Sequence, residues 1–386
     1  MIGLGSVLKR LRVLDWVRGG LLLAGLVCLA TGVLPWAAAE GGLRRIAPLL
    51  VFLCAVIVLA ELAKEARVFD VVAATLARTG KGRYPALFAV CFGFAAVSTI
   101  FLNLDTTAVL LTPVLLAMAA RSGIPGLPLA MTTVWLANTA SLLLPVSNLT
   151  NLLAADRLNL PPLEFARHMW LPQVVILALT AVFLWIFYWR RHPASYTLPE
   201  KVEIGDPVVF RVLAAACLTF AVAVLGGVPI EVAAVVAAVV AVGVFAWRDR
   251  GRLSFALIPW GLLVFVTGLF LVVGALEAQG VLDGLGGGDP FAVAALGGGL
   301  GNVVNNLPAY VAVEQGLPPG DTRAILALLI GTNAGTIVTP WGSLATLLWF
   351  EQCRRFGLRV PVGRFVATGL GLAVCCVGFG VLVLPG

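Results

Sequence analysis

Apolar stretches close to the ~20 residues that a helix needs to cross a hydrocarbon core recur at 20–36, 43–62, 169–189, 209–225, 228–247, 258–276 and 362–384. One soluble core cannot hide so many, because soluble domains hold about 25% charged residues whereas this chain holds 12%. Each stretch is rich in Leu, Val, Ala and Gly, without the period-two alternation of an outer-membrane barrel. The pattern predicts an all-α polytopic membrane protein of the bacterial inner-membrane type.

In such a chain the position of each Lys and Arg matters more than the formal net charge of +7. If the N-terminus is cytoplasmic and the segments 84–120 and 290–318 are re-entrant hairpins, about nine spans remain. The cytoplasmic side then holds 21 of the 26 basic residues, leaving Arg44, Arg45, Arg157, Arg167 and Arg323 outside. Counting either hairpin as a true span would invert every later loop and lose this bias. The positive charge therefore reads as membrane orientation rather than as a nucleic-acid surface. Residues 1–19 read as a cytoplasmic amphipathic helix, with Leu4, Val7, Leu8, Leu11 and Leu14 beside Lys9, Arg10, Arg12 and Arg18. The competing reading is a signal peptide ending at Ala37-Ala38-Ala39, but the basic region is long for one.

The most polar stretch between apolar blocks is a cytoplasmic linker at 190–208, RRHPASYTLPEKVEIGDPV. It divides the chain into a repeat at 20–189 and a second at 209–386. At a constant offset of 195 residues, NTASLLLPVSNLTNLL from Asn138 faces NAGTIVTPWGSLATLL from Asn333 without gaps. Asn138 pairs with Asn333, Pro145 with Pro340, and Asn148 with Ser343. Shared bulk hydrophobicity would not align an asparagine and a proline. The first hairpin is flanked by Lys81, Arg83 and Arg121, while the second lies in a stretch free of Lys and Arg between Arg252 and Arg323. The two repeats are thus predicted to be inverted, each with a hairpin and a broken helix, the latter at about 128–156 and 323–352. Corresponding polar breaks in two halves are the sequence mark of a secondary transporter and its site.

Four breaks interrupt the apolar segments: Asn103-Leu104-Asp105-Thr106-Thr107, Pro145-Val146-Ser147-Asn148, Asn305-Asn306-Leu307-Pro308 and Thr339-Pro340-Trp341-Gly342-Ser343. Lipid cannot satisfy unwound backbone, so each break must face protein or a wet cavity. Taken singly, Pro145 and Pro340 read equally well as kinks, and asparagine pairs as glue between helices; their paired recurrence favours a site. Candidate substrate-binding residues are Asn103, Thr106, Thr107, Asn138, Ser147, Asn148, Asn305, Asn306, Asn333, Trp341, Gly342 and Ser343. Asp105 is the most informative single residue. An ionised carboxylate at a hairpin tip costs at least about 2.5 kcal/mol unless paired or hydrated, which makes it a candidate for proton coupling. The plainer reading is a helix N-cap, and both roles are compatible.

The remaining reactive residues read as structural. The seven cysteines form no CxxC pair and read as small buried hydrophobes; His168 and His192 sit at membrane edges beside Trp170 and Arg191. Glu61, Glu231, Glu277 and Glu314 lie towards segment ends and read as interfacial. No cofactor or resident metal is implied, and a membrane-embedded enzyme lacks a nucleophile and base. The breaks hold no Arg or Lys, which suits a neutral polyhydroxy solute better than an anion.

FLNLDTTAVLLTPV from Phe101, NTASLLLPVSNLTNLL from Asn138, NNLPAYVAVE from Asn305 and above all TPWGSLATLLW from Thr339 resemble the ArsB family of arsenite permeases, within the ion transporter superfamily. The resemblance covers nearly the whole chain in order. It implies efflux of trivalent arsenite and antimonite, as neutral hydroxides, in exchange for protons, with a cytoplasmic ATPase attached in some members. It also implies an elevator-like movement of the unit that carries the hairpins and broken helices. One departure stands out: longer relatives carry a further apolar segment near the start, whereas here two spans precede the first hairpin and three the second. The cysteines match no shared motif, so thiolate capture of arsenic is not implied. The rival within the same class is a Na⁺- or H⁺-coupled carrier of carboxylate, silicate or another oxyanion.

Overall fold

The computed structural model describes residues 13–191, 195–196, 198, 202–280 and 289–385. Among these the regular secondary structure is helical, apart from one isolated bridge between Arg83 and Ser195. Six helices are long and apolar enough to cross a bilayer by length and composition, and shorter apolar helices stand among them. The part of the predicted surface helix at 1–12 lies outside the described residues. From Val13 onward the chain is one helix, α1 (Val13–Ala30), which runs through residue 19 without a break.

Two groups of helices follow from the packing. The first comprises α1, α2 (Trp36–Glu65), α9 (Pro207–Leu225), α10 (Ile230–Arg248) and α11 (Trp260–Ala278). Within it α1 lies parallel to α11, with Arg18, Leu22 and Gly25 facing Gly261, Gly268 and Leu271 in that order. Helix α2 has 30 residues, a rise of about 45 Å against a core of about 30 Å. Its last residue therefore emerges, and the carboxylate of Glu65 meets Arg252 at 2.8 Å.

The second group holds both predicted hairpins and both broken helices. After the short α3 (Val68–Thr79), the first hairpin rises as α4 (Tyr84–Leu102) and turns at Asn103. It continues through a turn of helix at Leu104–Thr106, a π-helical segment at Thr107–Leu111 and α5 (Thr112–Arg121). Pro113 opens α5 and has no N–H to give to the preceding turn, which accounts for the widened π segment beside it. The first broken helix is α6 (Gly126–Thr139) and α7 (Leu149–Leu158), followed by α8 (Pro162–Leu184). The second repeat returns the same order: α12 (Pro290–Val304), α13 (Asn306–Gln315), α14 (Thr322–Ala334), α15 (Leu344–Arg355) and α16 (Val362–Leu382). Helix packing in lipid depends on close backbone approach, and here α12 and α14 meet where Gly298 lies against Gly331 and Gly335.

The loops sort to two ends. At one end Arg248 meets Asp206 at 2.8 Å, and Arg67 pairs with Asp70 at 3.1 Å while donating to the carbonyl of Glu203. At the other, Gln279 donates to the carbonyl of Val33 at 3.0 Å, and Arg157 to that of Leu317 at 2.7 Å. The first end gathers the basic segments and is called the basic end below.

Candidate functional site

Each hairpin turns at an asparagine whose backbone lies in a region that L side chains rarely adopt: Asn103 at φ 127° and Asn305 at φ 99°. With ψ of 169° and 153°, both fall in territory otherwise left to glycine, where strain is of order 1–3 kcal/mol. The side chains show why asparagine is kept there. Oδ1 of Asn103 accepts from the N–H of Thr106 at 2.7 Å and caps the new helix, while Nδ2 of Asn305 donates to the carbonyl of Trp341 at 3.0 Å. Each tip is also tied to the break of its own repeat. Ser147 Oγ donates to the carbonyl of Ile100 at 2.7 Å, and the N–H of Asn306 donates to the carbonyl of Gly342 at 2.8 Å.

The breaks end alike. Asn148 and Ser343, one repeat apart, are both extended residues that cap α7 and α15, accepting from the N–H groups of Thr150 and Thr346. Unwound backbone at membrane depth needs partners at several kcal/mol per group, and buried amides provide them. In the first break Gln173 accepts from the N–H of Leu142 and donates to the carbonyl of Thr139, and Asn151 donates to the carbonyl of Leu144. In the second, Asn302 accepts from the N–H groups of Val338 and Thr339 and donates to the carbonyl of Gly335. A Cβ at Gly342 would strike the carbonyl of Thr336 and the side chain of Asn302, so only glycine lets the strands of this break approach so closely.

The tips and breaks meet at one small cavity of about 30 Å³, lined by Asn103, Asp105, Asn148, Asn305 and Asn306 and closed by Phe52 and Phe265 of the first helix group. Leu149 and Leu344, the first residues of α7 and α15, border it, as do Leu104 and Asn306 at the starts of the hairpins' second arms. Four helix N-termini therefore point towards it, each favouring an electron-rich atom. Several buried polar atoms here find no partner among the described residues: Nδ2 of Asn103, Oδ1 of Asp105 and Oδ1 of Asn305, with Oγ1 of Thr106 just behind. Leaving such groups unpaired costs about 1–3 kcal/mol each, a shortfall that a bound polar group or water would make good.

Asp105 and Thr106 also line a second cavity of about 350 Å³, which reaches the basic end past Glu61 and Trp260. A third, of about 460 Å³, lies at the opposite end among Gly41, Leu153, Phe270 and Glu314, and includes no tip residue.

The other predicted site residues stand behind this cavity. Thr107 is buried and receives a hydrogen bond from Thr99 at 3.2 Å. Asn138 and Asn333 are buried between the repeats, where Asn333 joins Asn148, Thr150 and Asn151. Ser147 and Ser343 serve the backbone as described, and Trp341 lies half outside with its Nε1 donating to the carbonyl of Asn302. Glu314 corrects an expectation: it is not interfacial but 2% exposed, 4.0 Å from Arg157 and hydrogen-bonded by Tyr310. The sequence reading missed Asn302, Gln173 and Asn151. Polar amides inside otherwise apolar segments were the available signal, but their partners lie elsewhere in the chain.

Comparison with known proteins agrees with this architecture. A family model described as a citrate transporter matches residues 15–319. Arsenical pump membrane proteins of Yersinia enterocolitica and of Escherichia coli K12 are each 31% identical over 353 residues, covering 82% of this chain and 81% of the relative. A crystal structure of the Alcanivorax borkumensis YdaH transporter, titled as having an unusual topology, superposes with a TM-score of 0.58 over 96% of both chains; at 16% identity it speaks for the fold alone. With two inverted repeats, paired tips and breaks, and this span of sequence identity, the chain belongs to the arsenical pump membrane protein (ArsB) family of membrane transporters.

Proposed function

We propose that this protein exports trivalent arsenite and antimonite, as neutral hydroxides, in exchange for protons, with the basic end in the cytoplasm of a bacterial cell. The observation that carries the reading is the set of unpaired polar atoms at the tips. An amide donor on Asn103, acceptors on Asp105 and Asn305 and the hydroxyl of Thr106 suit a small solute whose hydroxyl groups both donate and accept. The tip cavity has room for about two water-sized groups, and no basic side chain among the described residues lines it. Positive loops favour the cytoplasmic side, which orients the molecule.

In this reading solute enters through the 350 Å³ vestibule, and Asp105, lying at the junction of vestibule and tip cavity, gives up a proton there. The tips and breaks then move as a unit against the first helix group, and Asp105 takes a proton from the other side. Exchange of a neutral solute for a proton moves one charge per turnover, so the membrane potential adds about 2.3 kcal/mol per 100 mV. Inverted vesicles test this directly: arsenite uptake should dissipate an imposed pH gradient and respond to potential. Uptake indifferent to both would sink the proposal.

A second reading is a carrier of carboxylate or another oxyanion. The citrate transporter family model and the four helix N-termini favour it. The small cavity and the acid in its wall weigh against it. Sodium-dependent succinate uptake by the same vesicles would decide for it.

A further inference from the structure

The vestibule holds a charge that no role described so far uses. Arg18, on α1 of the first helix group, lines the same 350 Å³ cavity as Asp105 and Thr106 of the first hairpin. Its guanidinium lies over Gly261 at the start of α11, where a Cβ would collide with it. A glycine at that point leaves the guanidinium its place in the vestibule wall. Among the described residues the other charged group in the wall is Glu61, which faces Lys64 at 3.6 Å. Neither α4 nor α6, packed around the Asp105 turn, carries a charged residue. Helix α15 presents Leu344 and Leu348 there, and its charged residues come two turns later at 351–355.

We propose that Arg18 is a positioning charge for proton release: it stabilises the Asp105 carboxylate while the hairpin faces the basic end, and is left behind when the hairpin moves. This rests on Asp105 as the proton site of the function proposed above. In the step itself the O–H bond of the Asp105 carboxylic acid breaks and the proton passes to water in the vestibule. The bonding pair stays as carboxylate charge, and the guanidinium keeps its own protons throughout. Because the cation belongs to the first helix group, it favours the ionised acid on one side of the membrane only. A proton carried inward is thereby discharged to the cytoplasm rather than returned.

The test reads the protonation of Asp105 without any transported solute. Dicyclohexylcarbodiimide reacts with protonated carboxyl groups in apolar surroundings, and mass analysis of the labelled peptide reports Asp105 separately from other acids. In the full chain in lipid near neutral pH, Arg18→Gln should raise the Asp105 labelling rate on the order of fivefold. Arg18→Lys should restore most of the wild-type rate. Gly261→Ala, which displaces the guanidinium and keeps its charge, should give an intermediate rise, guarding against a merely misfolded Arg18→Gln. Arg44→Gln, at the opposite end, should change nothing. Equal labelling in wild type, Arg18→Gln and Gly261→Ala, or no label at Asp105 in any of them, would overturn the inference. Shifts in labelling from a chain that moves no arsenite would sink the exporter reading alone, and arsenite–proton exchange with unchanged labelling would sink the Arg18 role alone.

Discussion

The side-chain amide of Asn333 donates to Oδ1 of Asn151 at 2.8 Å, and the residues one repeat away from this pair, Asn138 and Thr346, meet at 3.3 Å. One bond is the image of the other under the 195-residue offset. The two broken helices thus grip each other through a symmetric polar clasp in which every member is at most 2% exposed. The symmetry is imperfect in chemistry, since Asn333 also accepts from Asn148 and Thr150, whereas Asn138 meets a hydroxyl.

That asymmetry predicts unequal costs. Asn333→Leu strands three buried partners at about 1–3 kcal/mol for each one left unpaired, and should lower the thermal midpoint of the purified protein sharply. Thr346→Val, which loses a 3.3 Å contact with Asn138 and an exchange with Ser343, should cost about 1 kcal/mol. Equal midpoints for the two variants would show that the clasp is not what holds the repeats together.

Asp105→Asn keeps the shape and removes the exchangeable proton. We expect normal abundance in the membrane, wild-type thermal stability and loss of pH-coupled arsenite export, measured as resistance of an efflux-deficient host and as uptake by inverted vesicles. Undiminished resistance and coupling in this variant would remove Asp105 from the mechanism.

Asn302 holds the second break open by satisfying the N–H groups of Val338 and Thr339. Asn302→Leu leaves both without an acceptor, so stability should fall by about 2–5 kcal/mol, seen as a lower thermal midpoint and poor membrane yield. Gly342→Ala attacks the same place from the other side by pushing Thr336 and Asn302 apart, and should abolish transport even in folded protein. Wild-type stability of Asn302→Leu would mean that water, not this amide, serves the break.

Asp206, in the linker outside the membrane, is held below the usual carboxylate range by the Arg248 side chain and then by the N–H of Val208. Its folded value lies below its unfolded one, so the stability it adds is complete above the unfolded value and is lost as pH falls through the folded value. The thermal midpoint of Asp206→Ala should therefore lie slightly below that of wild type at neutral pH and converge with it in strong acid. A gap that persists unchanged in strong acid would mean that the cap, not the charge, is responsible.

The helical membrane bundle, the repeat with its offset and the four breaks are all legible from the order of residues alone. The reason is that lipid solvates no backbone: where the chain leaves the helix at membrane depth, polar residues, Pro and Gly gather in or beside the unwound run, and that clustering is visible in one dimension. The sequence also marked Asp105, because an acid inside an apolar run is conspicuous wherever it stands. Which atoms meet is visible only once the helices are packed. Asn302, Gln173 and Asn151 serve backbone from up to 37 residues away, and Asn138 finds its partner across 208. Arg18 counted in the sequence as one more basic residue of a cytoplasmic surface helix, and Glu314 as one more interfacial acid. Placement beside a vestibule or inside a buried ion pair depends on how separate helices pack, and packing is a property of the assembled surfaces rather than of any segment alone.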